Sequence, residues 1–310
     1  SFDSYQFSSD ESKIIVGTNS EKIFRRSSRA DFYVYDRLTK RLSRIAAYKI
    51  QEPLFSPDGL KVAYAFENNL YVKDLPSGKT TQITSDGQVN KIINGITDWV
   101  YEEEFYFVRA FEWNAGSDKI AFIRFDESEV PEFAMDMYGN ELYPGQMVFK
   151  YPKAGEKNSE VSLHLYDLKT AKSSKVDLGN NLQHYIPGIQ WSNDPNTLAV
   201  TTLNRHQNNM NLLFLDSKTL KARLVLNEKD AAYIKLADDL TFLHDNSFIW
   251  SSERDGFNHL YRYDKTGKLI NQITKGNWEV TDFYGYNGQT QTIFYRSTED
   301  GSTNRSIYSI

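Results

Sequence analysis

Glu102, Glu103 and Glu104 stand in a row directly behind Tyr101, at the end of the run Asn94-Gly95-Ile96-Thr97-Asp98-Trp99-Val100-Tyr101, and Phe105-Tyr106-Phe107 follows them. Three adjacent carboxylates repel one another, and ionising all of them is costly unless a cation sits among them. A bare acidic run is ordinarily a solvated face. The aromatic residues on both sides of this one point instead to a pocket that receives positive charge. An ammonium group brings three donors and one charge, and two convergent carboxylates hold it through charge-assisted bonds worth about 1.5–3 kcal/mol each. Successive side chains on a strand point to opposite faces. Convergence of neighbouring glutamates therefore requires a helical turn or an irregular loop.

Other chemistry is not written in the chain. It has no G-x-S-x-G elbow for a serine nucleophile, so no catalytic residue is assigned within it. His164, His184, His206, His244 and His259 lack metal spacing such as H-E-x-x-H and read as polar strand or loop residues. Phosphate loops and dinucleotide fingerprints are missing too, and no cofactor or metal is expected. Paired carboxylates also serve glycoside hydrolysis, but neighbouring glutamates give poor opposed geometry for it.

The elements that must position these residues repeat along the chain. Phe32-Tyr33-Val34-Tyr35-Asp36, Leu70-Tyr71-Val72-Lys73-Asp74, Leu163-His164-Leu165-Tyr166-Asp167, Leu212-Leu213-Phe214-Leu215-Asp216 and Leu260-Tyr261-Arg262-Tyr263-Asp264 are largely apolar runs, each ending in Asp. A short polar turn follows and, in the clearer copies, a second short run. That is a hairpin signature. Before each hairpin comes a turn and a buried strand, cleanest in Phe55-Ser56-Pro57-Asp58-Gly59-Leu60-Lys61-Val62-Ala63-Tyr64. Four antiparallel strands per roughly 40 residues is the spacing of propeller blades. About six such units are expected, near 6–48, 53–84, 92–178, 186–226, 235–275 and 279–310. The third is overlong, and its extra residues, through Phe133, Met135, Tyr138 and Tyr143, predict an inserted loop or arm on one face.

Composition agrees with an all-β chain of 310 residues: 20 Tyr and 19 Phe favour strands. A net charge of -5 and the lack of a basic block give no reason to expect a nucleic-acid partner. No stretch approaches 18 apolar residues. With no cysteines there are no disulfides, thiolate metal sites or cysteine nucleophile, which leaves the compartment open. The first residue is Ser1, without Met or an apolar leader, so removal of an N-terminal portion is expected.

Asn94 to Glu104 resembles the substrate-amine motif of the dipeptidyl peptidase IV family, which belongs to the prolyl oligopeptidase group of serine peptidases. Glu129-Val130-Pro131, Tyr151-Pro152-Lys153-Ala154-Gly155, Ser252-Glu253-Arg254-Asp255-Gly256 and Ile273-Thr274-Lys275-Gly276-Asn277-Trp278-Glu279-Val280 resemble further family stretches in the same order. The resemblance spans nearly the whole chain. It implies that Glu103 and Glu104 grip the free amino terminus of a peptide, with Glu102 in support and Tyr101 beside them. Arg25, in Ile23-Phe24-Arg25-Arg26-Ser27-Ser28, is similar to the family arginine that bonds the substrate's backbone carbonyl; Arg26 is the alternative in register. Without the resemblance either arginine reads as a solvated hairpin charge. Arg25 would also neutralise the glutamates of an empty site. The chain departs from the family pattern at Tyr233-Ile234-Lys235-Leu236, where a phenylalanine and an arginine often flank the pocket.

The same resemblance implies an eight-bladed propeller, of which residues 1–310 would supply about six blades. An α/β-hydrolase domain carrying the Ser-Asp-His triad would lie beyond this chain, which is expected to be inactive alone. The implied function is recognition of the amino terminus in a serine exopeptidase that releases Xaa-Pro or Xaa-Ala dipeptides. The alternative is a peptide-binding propeller without catalysis, or an inactive homologue. Implied partners are peptides with a free amino terminus, the parent's own hydrolase domain and a second copy in a homodimer. Export to a bacterial periplasm or cell surface follows from the resemblance alone.

Overall fold

The computed structural model describes residues 2–181, 184–236 and 239–310; Ser1 lies outside them. Six antiparallel sheets follow one another along the chain, at 4–44, 51–82, 92–175, 185–229, 241–272 and 280–309. These are the blades of an all-β propeller, and their limits follow the repeats of the sequence. Within each sheet but the third the strands pair in chain order. The sixth sheet has three strands, Val280–Asn287, Thr292–Ser297 and Ser306–Ser309, where the repeat predicts four. The third sheet gains a strand, Ile92–Asn94, paired to Lys119–Asp126. The insertion is a separate two-stranded hairpin, Glu132–Met137 with Gly145–Lys150, and forms an arm.

Burial explains why the repeat reads as apolar runs rather than alternation. Middle strands are covered on both faces by neighbouring sheets: Val62, Ala63, Tyr64 and Ala65 in Lys61–Phe66 are buried, as are Leu198, Ala199 and Val200 in Thr197–Leu203. Such strands lose the period of two. Outer strands such as Arg41–Arg44 and Thr80–Gln82 are exposed throughout and carry polar residues.

The aspartates that end the third strands close the hairpins. The Asp36 carboxylate accepts the N–H groups of Leu38 (3.0 Å) and Thr39 (2.8 Å), and Asp216 accepts those of Lys218 (2.9 Å) and Thr219 (2.8 Å). Asp74, Asp167 and Asp264 accept in the same way from Ser77, Thr170 and Thr266. These side chains replace a backbone turn, which is why Asp recurs there. A left-handed residue then leads into the fourth strand: Gly78 and Gly267, but also Lys40, Ala171 and Leu220.

Candidate functional site

The site begins with Gly95. Its φ is +73°, and a Cβ there would stand 2.5 Å from the Leu70 side chain, so only glycine fits. The Gly95 N–H donates to the Ile123 carbonyl and its own carbonyl accepts from Ala110, which fixes the backbone just before Asp98. Asp98 then starts a short helix, α1 (Trp99–Glu104). Its Oδ1 accepts the Tyr101 N–H at 2.9 Å, as an N-cap should, and its Oδ2 accepts the Ser159 hydroxyl at 2.5 Å. Burial pushes the Asp98 carboxyl up, and those two hydrogen bonds oppose it. All three consecutive glutamates thus lie on one helical turn, α1.

A helix six residues long points its consecutive side chains in different directions, and here they meet different fates. Tyr101 is 1% exposed; its hydroxyl accepts the Ile186 N–H of the fourth blade at 3.0 Å. Its ring meets Phe125 and Phe105 edge-on at 4.8 and 4.9 Å, and burial raises the phenol well above its ordinary range. Glu102 is equally buried, with Oε1 accepting the Arg26 N–H at 2.5 Å and the Ser27 N–H at 2.8 Å. Glu103 Oε2 accepts Arg25 Nε–H at 2.8 Å; the Glu103 side chain is 16% exposed and that of Arg25 72%. Glu104 is exposed.

Arg25 therefore meets a glutamate of α1 across 78 residues of chain, whereas the Arg26 guanidinium lies over the Tyr106 ring, 4.7 Å from its centroid. Glu104 lines a cavity of about 440 Å³ together with Tyr106, Gln190, Tyr233, Lys235 and Trp250. The stretch where the sequence departs from the family pattern is thus a wall of the same cavity. Behind the helix is a second cavity of about 540 Å³, reached by Glu102, Trp99, Glu127 and Lys150. Glu127 is buried there. Desolvation, reinforced by Asp98 and opposed by Lys150, lifts it to about 7.

The arm holds this region from outside. The Trp99 ring lies against Tyr151, tilted by 32° with centroids 4.1 Å apart, and Phe149 at the arm's base meets both Trp99 (6.1 Å) and Phe24 of the Arg25 loop (5.4 Å). Sequence reasoning missed Asp98, Ser159 and the arm's aromatic base. Asp98 was findable, since Asp directly before a short helical turn is a capping signal. Ser159 and Phe149 act from 61 and 50 residues further on, and no local pattern marks them. Among the described residues no group of His, Asp or Glu could hold a metal ion.

Over residues 8–310 the chain matches the family described as dipeptidyl peptidase IV (DPP IV) N-terminal region. It is similar to the crystal structure of dipeptidyl peptidase 4 from Porphyromonas gingivalis, with a TM-score of 0.95 and 40% identity, covering 100% of this chain and 44% of that one. The probable dipeptidyl peptidase 4 of Aspergillus clavatus is 31% identical over 327 residues, covering 99% of this chain and 42% of the relative. Dipeptidyl aminopeptidase B of Saccharomyces cerevisiae is 28% identical over 322 residues, covering 98% and 39%. The chain spans about two-fifths of the length of these curated relatives.

Proposed function

The chain belongs to the family of dipeptidyl peptidase IV N-terminal regions, and on that premise we propose that it recognises the peptide amino terminus for a serine exopeptidase that removes N-terminal dipeptides. The observation that carries this reading is the bond from Arg25 Nε–H to Glu103, beside the exposed Glu104. Glu103 is already oriented toward a cationic N–H donor, and the guanidinium stands where a substrate ammonium would compete. Because Arg25 is largely solvated, displacing it costs at most about 1 kcal/mol. The ammonium gains two charge-assisted bonds, of about 1.5–3 kcal/mol each, from Glu103 and Glu104. The balance favours exchange.

Once released, the Arg25 fork is free to take the first backbone carbonyl of the peptide. An amino terminus fixed in this way sets a distance to the scissile bond, and a hydrolytic centre in the same protein then cuts after two residues. Xaa-Pro and Xaa-Ala substrates belong to this proposal by relationship. The test compares turnover of Xaa-Pro anilides with free and N-acetylated amino termini by the full-length protein. Acetylation, which removes the charge, should abolish measurable turnover. Equal turnover of both would overturn the reading, and peptide binding without turnover would leave a receptor for peptide amines.

A further inference from the structure

The three glutamates of α1 are chemically alike and structurally unlike. We propose that Glu102 does not hold substrate but latches the Arg25 loop onto α1, so that the third blade decides where the guanidinium carried by the first blade stands. Its effect on turnover rests on the function proposed above; the latch itself does not.

Residues 23–27 join strands Lys13–Lys22 and Ser28–Asp36 of the first blade. The loop closes on itself at one end: Ile23 N–H donates to the Ser27 carbonyl at 3.0 Å and Phe24 N–H to the Ser27 hydroxyl at 3.1 Å. That leaves the successive amides of Arg26 and Ser27 to find an acceptor, and both donate to the same Glu102 oxygen. Consecutive backbone N–H groups turned to one side form an anion-binding concavity. Here the anion comes from 75 residues away and is 1% exposed. A buried carboxylate oxygen engaged with two amides has both of its lone pairs committed before any ligand arrives.

The remaining restraints on the loop are weaker. Phe24 touches Phe149 of the arm, the Arg26 guanidinium lies over the exposed Tyr106 ring, and Arg25 reaches Glu103 through an exposed side chain. Arg25 must leave Glu103 when an ammonium arrives, so that contact cannot hold the loop in the bound state. Glu102 can, because it grips backbone and not the moving side chain. The three glutamates then divide the work, with Glu102 positioning the loop, Glu103 exchanging cations and Glu104 open to receive one.

The test uses the full-length protein with Glu102→Ala, Glu102→Asp and Glu102→Gln, followed by hydrogen exchange of residues 24–28 and by kcat/KM on Xaa-Pro anilides. Glutamine keeps an oxygen within reach of both amides, whereas aspartate keeps the charge and loses the reach. E102A and E102D should raise exchange at 24–28 by about tenfold or more, with E102Q within about threefold of the parent. The two loop-releasing variants should lose up to about five- to tenfold in kcat/KM, the loss expected of R25A itself, E102Q less than about twofold, and E102A added to R25A should cost nothing beyond R25A alone. If E102A does not fold, E102D reads the same outcome. Unchanged exchange in E102A or E102D would overturn the latch, as would an E102Q as impaired as E102A or losses that add to those of R25A. A parent that turns over no free-amine anilide would sink the peptidase reading alone, and exchange would still decide the latch.

Discussion

His259 in the fifth blade and the glutamates of α1 in the third are both polar groups set among aromatic rings. His259 is fully buried, edge-on to Trp278 at 4.9 Å. Its Nε2 donates to the Gly276 carbonyl at 3.1 Å, which can only accept, and its Nδ1 shares a hydrogen bond with the Thr274 hydroxyl, also at 3.1 Å. Thr274 in turn accepts the Leu260 N–H at 2.9 Å. Every atom of that network is used, and none faces a ligand. On α1 two side chains follow the same logic, with Tyr101 and Glu102 each buried and accepting backbone N–H groups, and then it stops. Glu103 is tied only to an exposed arginine and Glu104 faces a cavity. Both clusters are built alike at their base; what separates them is the partner left unfilled on α1.

The sharpest way to break this comparison is Glu104→Gln in the full-length protein. Losing one of two carboxylates on a charged donor should lower kcat/KM by about a hundredfold or more, near 2.7 kcal/mol. Because Glu104 is exposed, the melting temperature should stay put. His259→Ala should do the reverse. It strands the Gly276 carbonyl and Thr274 hydroxyl and opens a void beside Trp278, which costs about 2–3 kcal/mol and lowers melting by about 5 °C or more. Peptide turnover at low temperature should be unchanged. A melting shift in E104Q equal to that in H259A would erase the distinction between the two clusters.

Glu127 tests the buried side of the third blade through pH. Its carboxyl is lifted from 4.5 to about 7 by burial, with Asp98, Asp126 and Glu132 adding and Lys150 opposing. The folded chain therefore holds a proton that the unfolded chain has already released between about pH 4.5 and 7. That contribution to stability is complete at the acid end and is lost as pH rises through 7. Glu127→Gln, which cannot ionise, should match the parent at pH 4.5 and be more stable at pH 8 by about 1–2 kcal/mol. Melting curves at the two pH values decide it, and an equal effect at both would show that charge is not the cause.

The sequence carried the blades because their signals are local. Five strand-ending aspartates each cap a turn a few residues away, and in the inner blades the runs before them, such as residues 212–215, are apolar because both faces are covered. Lys40, Ala171 and Leu220 show the limit of that signal, since they take left-handed turns that composition assigns to glycine or asparagine. Within the acidic run the sequence pointed to a site but not to which side chain would face it. A six-residue helix is too short for periodicity to separate the inward Tyr101 and Glu102 from the outward Glu104. The contacts that settle the matter, Ile186 to Tyr101 and Ser27 to Glu102, span 85 and 75 residues. Nothing near either residue announces them.

The smallest effect expected is also the most discriminating, because two consequences of Arg25→Ala oppose each other. Removing the guanidinium frees Glu103 from a competing cation, which by itself would favour an incoming ammonium by up to about 1 kcal/mol. It also removes the donor proposed for the substrate carbonyl, a charged hydrogen bond worth about 1.5–3 kcal/mol. The second term is larger, so KM should rise about five- to tenfold, with melting changed by no more than about 2 °C because the side chain is 72% exposed. Arg25→Lys keeps the charge and loses the fork, so it should recover the competition with Glu103 without the carbonyl contact and bind slightly worse than alanine. If R25A instead lowered KM, the first term would dominate. Arg25 would then be only the occupant of an empty site, not part of the loaded one.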